Sequence, residues 1–139
     1  MTTMQVSPYL NFNGQCEEAF KFYEKLMGAR IETMIAYQGT PMETVAPPEW
    51  HKKIMHAAIS IGDRTVSGVD APPGHYEAPK GFSVMLQLSN DLEAERIFAG
   101  LAEGGRVQMA IRPTFWATRF GMTIDRFGIP WMINCSQVV

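Results

Sequence analysis

An internal repeat constrains the fold of this chain more than any other feature of its sequence. Residues 13–34 and residues 90–109 both begin with a turn signal, run through an amphipathic segment to a glycine, and end in a β-branched and apolar stretch. A shift of about 76 positions matches five residue pairs: Glu17 with Glu93, Phe22 with Phe98, Gly28 with Gly104, Arg30 with Arg106, and Ile31 with Val107. The chain is therefore predicted to contain two copies of one structural unit.

Strand-like runs flank each predicted helix in the same order. In the first half they cover residues 5–12, 30–38, 54–61 and 64–69, and in the second half residues 82–89, 106–113, 117–125 and 130–135. Both halves are therefore predicted to be βαβββ units. The 139 residues are expected to form one domain, with module one at 4–70 and module two at 81–137.

Each predicted helix has an apolar stripe that is expected to pack on a sheet. The stripe of the first helix contains Cys16, Ala19, Phe20, Tyr23, Leu26 and Met27, and that of the second contains Ala94, Ile97, Phe98, Leu101 and Ala102. Gly28 is predicted to end the first helix, and Asn90 and Glu93 have the spacing of a capping box. Cys16 has two interpretations. Its position at the start of a helix favours a lowered pKa of the thiol, whereas its position on the apolar stripe favours a buried side chain.

Alternation along the predicted strands gives each sheet one apolar face and one face of mixed polarity. Trp116 lies in a motif-like TFWA run and is a candidate wall residue. The candidate ligand-binding residues of the polar face are Ser7, Tyr9, Asn11, Ser83, Gln87 and Asn134, with Trp116 beside them. A curved sheet of this kind forms a polar-lined cup suited to a small organic molecule. The alternative is a face that is half-exposed or buried in a dimer.

His56 is the histidine that falls on a predicted strand and on the polar face. Its near-neutral pKa suits general acid or base catalysis, which makes it the candidate catalytic residue, while the structural alternative is a bond to a backbone carbonyl. His51 and His75 lie in Pro-rich loops and are expected to face solvent. Trp50 and Tyr76, in the same loops, are expected either to close over a ligand or to pack on a partner subunit.

Composition excludes several classes of protein. The formal net charge of −2 and the pI near 5.9 argue against a nucleic-acid partner, and no apolar run is long enough to cross a membrane. Two cysteines are too few for a disulfide framework, so a cytoplasmic location is expected.

Three segments carry a resemblance to a known family: SPYLNFNGQCEEAFKFYEKLMGA, HAAISIGDRTVSGVD and TFWATRFGMTIDRFGIPWMINC. Together they resemble the PhnB-like branch of the vicinal-oxygen-chelate superfamily, which includes glyoxalases, bleomycin-resistance proteins and extradiol dioxygenases. The resemblance covers residues 5–136. It implies an α+β fold of two tandem βαβββ modules that form a curved mixed-sheet cup with the helices outside, usually in a homodimer.

Metal-using relatives in this superfamily carry His, Gln or Glu on the first, fourth, fifth and eighth strands. The corresponding positions here are Ser7, Gly68 or Val69, Ser83 and Asn134, none of which is a good ligand for a divalent metal. The sequence therefore predicts no metal and no other cofactor. A rebuilt metal site would need His56 with partners such as Glu43, Asp70 or Asp125. Relatives of this branch have been labelled demethylubiquinone methyltransferases, but the sequence has no Gly-rich strand-to-helix loop for S-adenosylmethionine.

The leading hypothesis is a homodimeric, metal-free protein that binds a small organic molecule. The alternative is a lyase, isomerase or dioxygenase that uses a divalent metal bound through His56. A third possibility is an enzyme without metal in which His56 transfers a proton.

Overall fold

The fold is described from a computed structural model, which covers residues 3–136. Its contacts divide the chain into two compact units with the boundary between Glu77 and Ala78. We call these units module one and module two. In the described residues no helix is long and apolar enough to cross a membrane.

Module one has the predicted βαβββ order. It contains β1 (Tyr9–Phe12), α1 (Cys16–Met27), β2 (Arg30–Ala36), β3 (Ile54–Ile61) and β4 (Arg64–Asp70). Two short 3-10 turns, Pro41–Val45 and Pro48–Trp50, lie between β2 and β3. The strand order in the sheet is β1-β4-β3-β2, and β1 and β4 are parallel while the other neighbours are antiparallel.

Module two repeats this arrangement. It contains β5 (Val84–Leu88), α2 (Asp91–Ala102), β6 (Arg106–Arg112), β7 (Arg119–Ile124) and β8 (Pro130–Cys135). The strand order is β5-β8-β7-β6, again with one parallel pair, β5 and β8. The predicted α+β class with two βαβββ modules is therefore confirmed.

Each helix packs on one face of its own sheet, as the apolar stripes predict. In module one Phe12 and Phe20 are fully buried and meet edge to face, with ring centroids 5.7 Å apart. In module two Trp131 and Ile133 of β8 are fully buried beneath α2. Within residues 3–136 the other face of each sheet carries no helix of its own module, and we call it the open face of that module.

A glycine in each sheet makes room for a phenylalanine of the helix. A Cβ added to Gly68 would lie 2.8 Å from Phe20, and one added to Gly121 would lie 2.7 Å from Phe98. Gly68 therefore belongs to the helix face, so that of the two sequence candidates for the fourth-strand position Val69 is the one on the open face.

The helix ends match their predicted signals. Gly28, at φ 71°, ends α1 in the left-handed conformation and donates its N–H to the carbonyl of Glu24. Asn90 caps α2, because its side-chain oxygen accepts the N–H of Glu93 at 2.9 Å. The predicted capping box is only half formed, since within residues 3–136 the Glu93 carboxylate pairs with Arg96 and does not accept the Asn90 N–H. The first and fifth strands are shorter than predicted, since β1 begins at Tyr9 and β5 at Val84.

Candidate functional site

Module one presents three of its four predicted site residues from strands. Tyr9 and Asn11 lie on β1 with exposed side chains, opposite the buried Leu10 and Phe12. Ser7 is exposed and precedes the strand, so its predicted strand position is wrong. Although Tyr9 is 53% exposed, partial burial of its hydroxyl raises the pKa of that group, which stays protonated at neutral pH and is able to donate a hydrogen bond.

His56 lies on β3, directly before the buried Ala57, so it is on the open face as predicted. It is half-buried, and within residues 3–136 its ring has neither a hydrogen bond nor an ion pair. The bond to a backbone carbonyl that the structural alternative predicts is therefore not present, nor is a carboxylate that would orient the ring. Proton transfer by His56 stays a prediction.

The two loop residues expected at a ligand or subunit surface differ in their placement. Trp50 packs within module one: its ring lies against Gly14, where an added Cβ would be 3.2 Å away, and its Nε1 donates to the carbonyl of Asp70 at 3.4 Å. Tyr76 is half-buried. His51, expected in solvent, is half-buried and its Nε2 lies 3.1 Å from the carbonyl oxygen of Ala46. The expectations for Trp50 and His51 were made without these contacts, which lie within and next to the 3-10 turns.

Module two brings three of its four predicted site residues together on the open face. The side-chain amide of Asn134 donates from Nδ2 to Oε1 of Gln87 at 2.8 Å, across the parallel β5–β8 pair. The indole Nε1 of Trp116 donates to Oδ1 of Asn134 at 3.2 Å. The ring of Trp116 also meets the ring of Phe120 edge to face, with centroids 5.2 Å apart. We call Gln87, Asn134 and Trp116 the amide–indole chain.

A cavity of about 850 Å³ occupies the other end of this module. Ser83, the fourth predicted residue, lines it, although Ser83 precedes β5 and is not part of the strand. Met132 also lines the cavity and is two residues before Asn134 on β8, so the cavity and the amide–indole chain are about 7 Å apart along one strand. The volume of the cavity is in the range found for small-molecule binding sites.

The cationic side chains of this cavity are functional candidates that sequence reasoning missed. They are Lys80, Arg106 and Arg126. Lys80 and Arg126 lie outside the strands, where alternation does not predict the direction of a side chain. Arg106 is the first residue of β6, directly before the bulge that shifts the strand register. The signal that could have found them is the glycine pair of the sequence GGR, because paired glycines permit close approach of two backbone segments.

Gly105 brings the turn after α2 against the end of β7. A Cβ on this residue would lie 2.1 Å from the carbonyl oxygen of Ile124, a separation that no side chain tolerates. Gly104, at φ +75°, lies beside the side chain of Arg126, 3.4 Å from an added Cβ. The two glycines thus place Arg106 and Arg126 on neighbouring parts of the cavity wall.

The three carboxylates named as possible metal ligands have structural roles, and two of them, Asp70 and Asp125, are buried. Asp70, which is 1% exposed, accepts the N–H groups of Gly14 at 3.0 Å, Cys16 at 2.9 Å and Ile54 at 2.8 Å. Asp125 accepts the N–H groups of Phe127 and Ile129 and the indole N–H of Trp131. Glu43 accepts the N–H of Gly39 at 3.0 Å.

These donor sets do not fit a divalent metal. Among the described residues, no group of three or more His, Cys, Asp or Glu side chains lies close enough to hold an ion. Oxygens that accept backbone N–H groups in the interior would have to give up those bonds to coordinate a cation. Within module one, a rebuilt metal site through His56 with Asp70 is therefore not supported by the geometry.

Both cysteines are buried, which decides between the two sequence-based expectations for Cys16. Burial raises the pKa of the Cys16 thiol strongly, and the nearby charges of Asp70 and Glu17 raise it further. Burial also raises the pKa of Cys135, whose thiol donates to Oδ1 of Asp91 at 3.2 Å. Neither thiol is an activated nucleophile.

Comparison with known proteins agrees with this fold. The family model described as 3-demethylubiquinone-9 3-methyltransferase matches residues 4–134. Protein YjdN of Escherichia coli (strain K12) is 34% identical, over 94% of this chain and 95% of its own length.

Two solved structures extend the comparison. Protein PA1353 from Pseudomonas aeruginosa is 45% identical, with a TM-score of 0.87 over 96% of this chain and 98% of that chain. The putative 3-demethylubiquinone-9 3-methyltransferase, PhnB protein, from Bacillus cereus has a TM-score of 0.81 over 96% of this chain and all of that chain. At 19% identity, the latter shows the shared fold.

Paired βαβββ modules with open sheet faces are the architecture of the vicinal-oxygen-chelate, or glyoxalase, superfamily. Within it, the chain belongs to the PhnB-like family whose model is described as 3-demethylubiquinone-9 3-methyltransferase.

Proposed function

We propose that this chain binds a small organic molecule on the open face of module two. The observation that carries the proposal is the amide–indole chain, in which Gln87, Asn134 and Trp116 are joined by two hydrogen bonds on a helix-free surface. These bonds hold three side chains in fixed orientations before any ligand arrives, which lowers the entropic cost of binding. The cavity beside Met132 supplies space for the rest of the molecule.

The chemistry of these side chains is neutral. The Gln87 amide retains its own NH₂ donors, and the indole of Trp116, 49% exposed, presents a flat apolar surface. A planar or partly apolar ligand would stack on the indole and accept a hydrogen bond from the amide. Ser83 would contribute a hydroxyl at the cavity end of the face.

The proposal includes the open face of module one as a second candidate surface. Tyr9, Asn11 and His56 lie on it, and Ser7 is exposed immediately before β1. The Tyr9 hydroxyl, the Asn11 amide and the His56 ring are groups that would form hydrogen bonds to a neutral ligand.

We also propose that the protein is a homodimer in the cytoplasm. Exposed apolar side chains outside the amide–indole chain and the cavity lining support self-association, among them Leu92 at 77% exposure and Val45 at 64%. Two free, buried cysteines agree with a reducing compartment.

The described residues do not fit S-adenosylmethionine, the methyl donor that the family description suggests. The turns between strand and helix are residues 13–15 and 89–90, which are too short for a Gly-rich binding loop. In the first turn the N–H of Gly14 already donates to Asp70, as does that of Cys16 at the helix start. We therefore do not propose methyl transfer.

A fragment screen followed by NMR on isotope-labelled protein tests the proposed function. We expect compounds that shift the resonances of Gln87 and Asn134, and we expect Gln87→Ala to weaken their binding by about tenfold. Gln38→Ala, an exposed glutamine in module one, is the matched control and should have no effect. A library without hits on either open face would overturn the proposal. Near-stoichiometric metal after purification without chelators would favour the metal-dependent alternative.

A further inference from the structure

The cavity of module two carries a charge opposite to that of the whole chain. Its lining includes the cations Lys80, Arg106 and Arg126 and the carboxylate of Asp125, which leaves two positive charges in a protein whose formal net charge is −2. The carboxyl end of α2 is nearby at Ala102, and a helix end contributes only about half a negative charge. The cavity is therefore a locally positive site.

The equivalent position in module one shows how an arginine is neutralised there. Arg30 begins β2, and its Nε donates to Oε1 of Glu32 at 2.6 Å. The strand pairing between β2 and β3 shifts at this point, because the register breaks between Ile31 and Thr33 and leaves Glu32 as the extra residue.

Module two has a bulge at the same position but no carboxylate there. Arg106 begins β6, and the pairing with β7 breaks between Val107 and Met109, which leaves Gln108 in the position of Glu32. Within the described residues the guanidinium of Arg106 and the ammonium of Lys80 have no hydrogen bond or ion pair. Arg106 and Gln108 both line the cavity instead. The same backbone thus directs an arginine to a carboxylate in one module and to an open cavity in the other.

The rest of the lining is apolar. It includes Phe82, Met122, Ile124, Pro130 and Met132. Met122 and Met132 face each other across the β7–β8 pair, and methionine side chains adapt to ligands of different shapes. A cationic edge beside an apolar floor fits a molecule with one charged end and one apolar body.

We propose that this cavity binds a small organic anion, whose carboxylate or phosphate is held by Arg106 and whose apolar body packs on Met122 and Met132. The planar guanidinium presents two parallel N–H groups to such an oxyanion, and Lys80 adds a second positive charge. Gln108 remains free to donate its amide N–H to the same group. This inference rests on the proposed function, because it names the class of ligand for the same open face.

Isothermal titration or NMR titration with benzoate and with phenyl phosphate tests the proposal, with benzamide as the neutral analogue of the same size. Both anions are expected to bind at least about tenfold more tightly than benzamide, and to bind less tightly as salt rises from 50 to 500 mM. A preference between the two anions identifies the carboxylate or the phosphate as the better head group.

Three variants test whether anion binding depends on the charge at the cavity or on the net charge of the protein. Arg106→Gln and Gln108→Glu should each weaken the binding of both anions by about tenfold. The first variant removes the cation, and the second gives Arg106 a carboxylate partner like that of Arg30. Arg30→Gln makes the same charge change in module one and should leave binding unchanged. All of these side chains are exposed, and a urea unfolding curve of each variant confirms that it folds.

The outcomes distinguish this inference from the proposed function. Equal binding of benzoate and benzamide, or anion binding that Arg106→Gln does not weaken, overturns the anion proposal and leaves the open-face function standing. Equal loss in Arg30→Gln and Arg106→Gln shows a general effect of net charge and also overturns it. A separate failure, in which no fragment of any charge binds the face, overturns the proposed function.

Discussion

At the scale of single residues, Asp70 does the most to join the elements of module one. It lies at the end of β4, yet its carboxylate holds the start of α1 through Gly14 and Cys16 and the start of β3 through Ile54. Its backbone carbonyl accepts the hydroxyl of Tyr37 at 2.7 Å. One buried side chain therefore fixes three segments that are far apart in the sequence.

Replacement of this carboxylate should be costly. Asp70→Ala leaves three buried or partly buried N–H groups without an acceptor, and we expect the free energy of unfolding to fall by about 3 kcal/mol. Urea denaturation at pH 7 measures the change. Asp63→Ala removes a carboxylate whose side chain is 94% exposed and should change stability by less than about 0.5 kcal/mol. Equal effects of the two substitutions would contradict the assigned role.

Burial of Cys16 makes a prediction about reactivity. The raised pKa keeps the thiol protonated through neutral and mildly alkaline pH, and the thiolate is the reactive form. In a Cys135→Ala variant, labelling of Cys16 by a disulfide reagent should be slow in native protein and complete in urea. Rapid labelling in native buffer at pH 7 would be inconsistent with a buried, protonated thiol.

Burial of that thiol also gives stability a pH dependence of known sign. Because the folded-state pKa is raised, the folded chain keeps its proton while the unfolded chain loses it above its ordinary pKa. The contribution of Cys16 to stability is therefore complete below that value and declines as the pH rises above it.

At the scale of elements, the two helices are stabilised at their starts in different ways. The N-cap of α1, Gln15, makes no side-chain cap bond, and Asp70 supplies the acceptor from a distant strand. The N-cap of α2, Asn90, supplies its own acceptor. The start of α2 is therefore a local feature, and the start of α1 depends on the folded sheet.

This difference predicts the effect of a cap substitution in α2. Asn90→Ala should lower the free energy of unfolding by about 1 kcal/mol, because the N–H of Glu93 loses its acceptor. Asn90→Ser should recover most of the loss, since serine is also a good N-cap. Thermal and urea unfolding of the two variants measure both values, and equal stability of alanine and serine would show that the cap bond contributes nothing.

At the scale of the whole molecule, the internal duplication explains why the two modules have the same architecture. Strand order, the parallel pair and the bulge near the start of the second strand are common to both. The difference lies in a few side chains, such as Glu32 against Gln108. One module closes an ion pair where the other leaves a cation beside a cavity.

The proposed homodimer is tested by the mass in solution. Sedimentation equilibrium or light scattering should give twice the chain mass of 15.6 kDa at micromolar protein concentration. Self-association would cover part of the exposed apolar surface, which includes Leu92 and Val45. A mass of one chain across the accessible concentration range would contradict the homodimer.

Local signals in the sequence predicted most of the fold. The residues that define β3 and β8 are those of the predicted strands, and the helix ends fall at Gly28 and Asn90 as expected. Periodicity, caps and glycine conformations act over a few neighbouring residues, so a sequence window contains the information. The starts of β1 and β5 were predicted less well, because the alternating pattern continues beyond the residues that pair with the neighbouring strand. The strand β1 begins at Tyr9, opposite Ser67, although β4 begins at Arg64.

Only part of the candidate site could be predicted from local sequence signals. Alternation placed Gln87 and Asn134 on one face, and the structure joins them through a hydrogen bond between residues 47 positions apart. The roles of Asp70 and Asp125 as acceptors for backbone N–H groups were missed, since a carboxylate in a sequence does not reveal which donors surround it. The cations of the cavity were missed for the same reason.

The amino-acid sequence by itself determined the two repeated βαβββ units, the apolar faces of their helices and strands, and the helix caps. Each of these depends on contacts within one turn or on a repeat of two to four residues. Tertiary structure alone decided which arginine meets a carboxylate and which lines a cavity, and which acid holds the start of a helix. Those outcomes depend on the side chains that the strand register and the glycine turns bring within hydrogen-bond distance across the sheet.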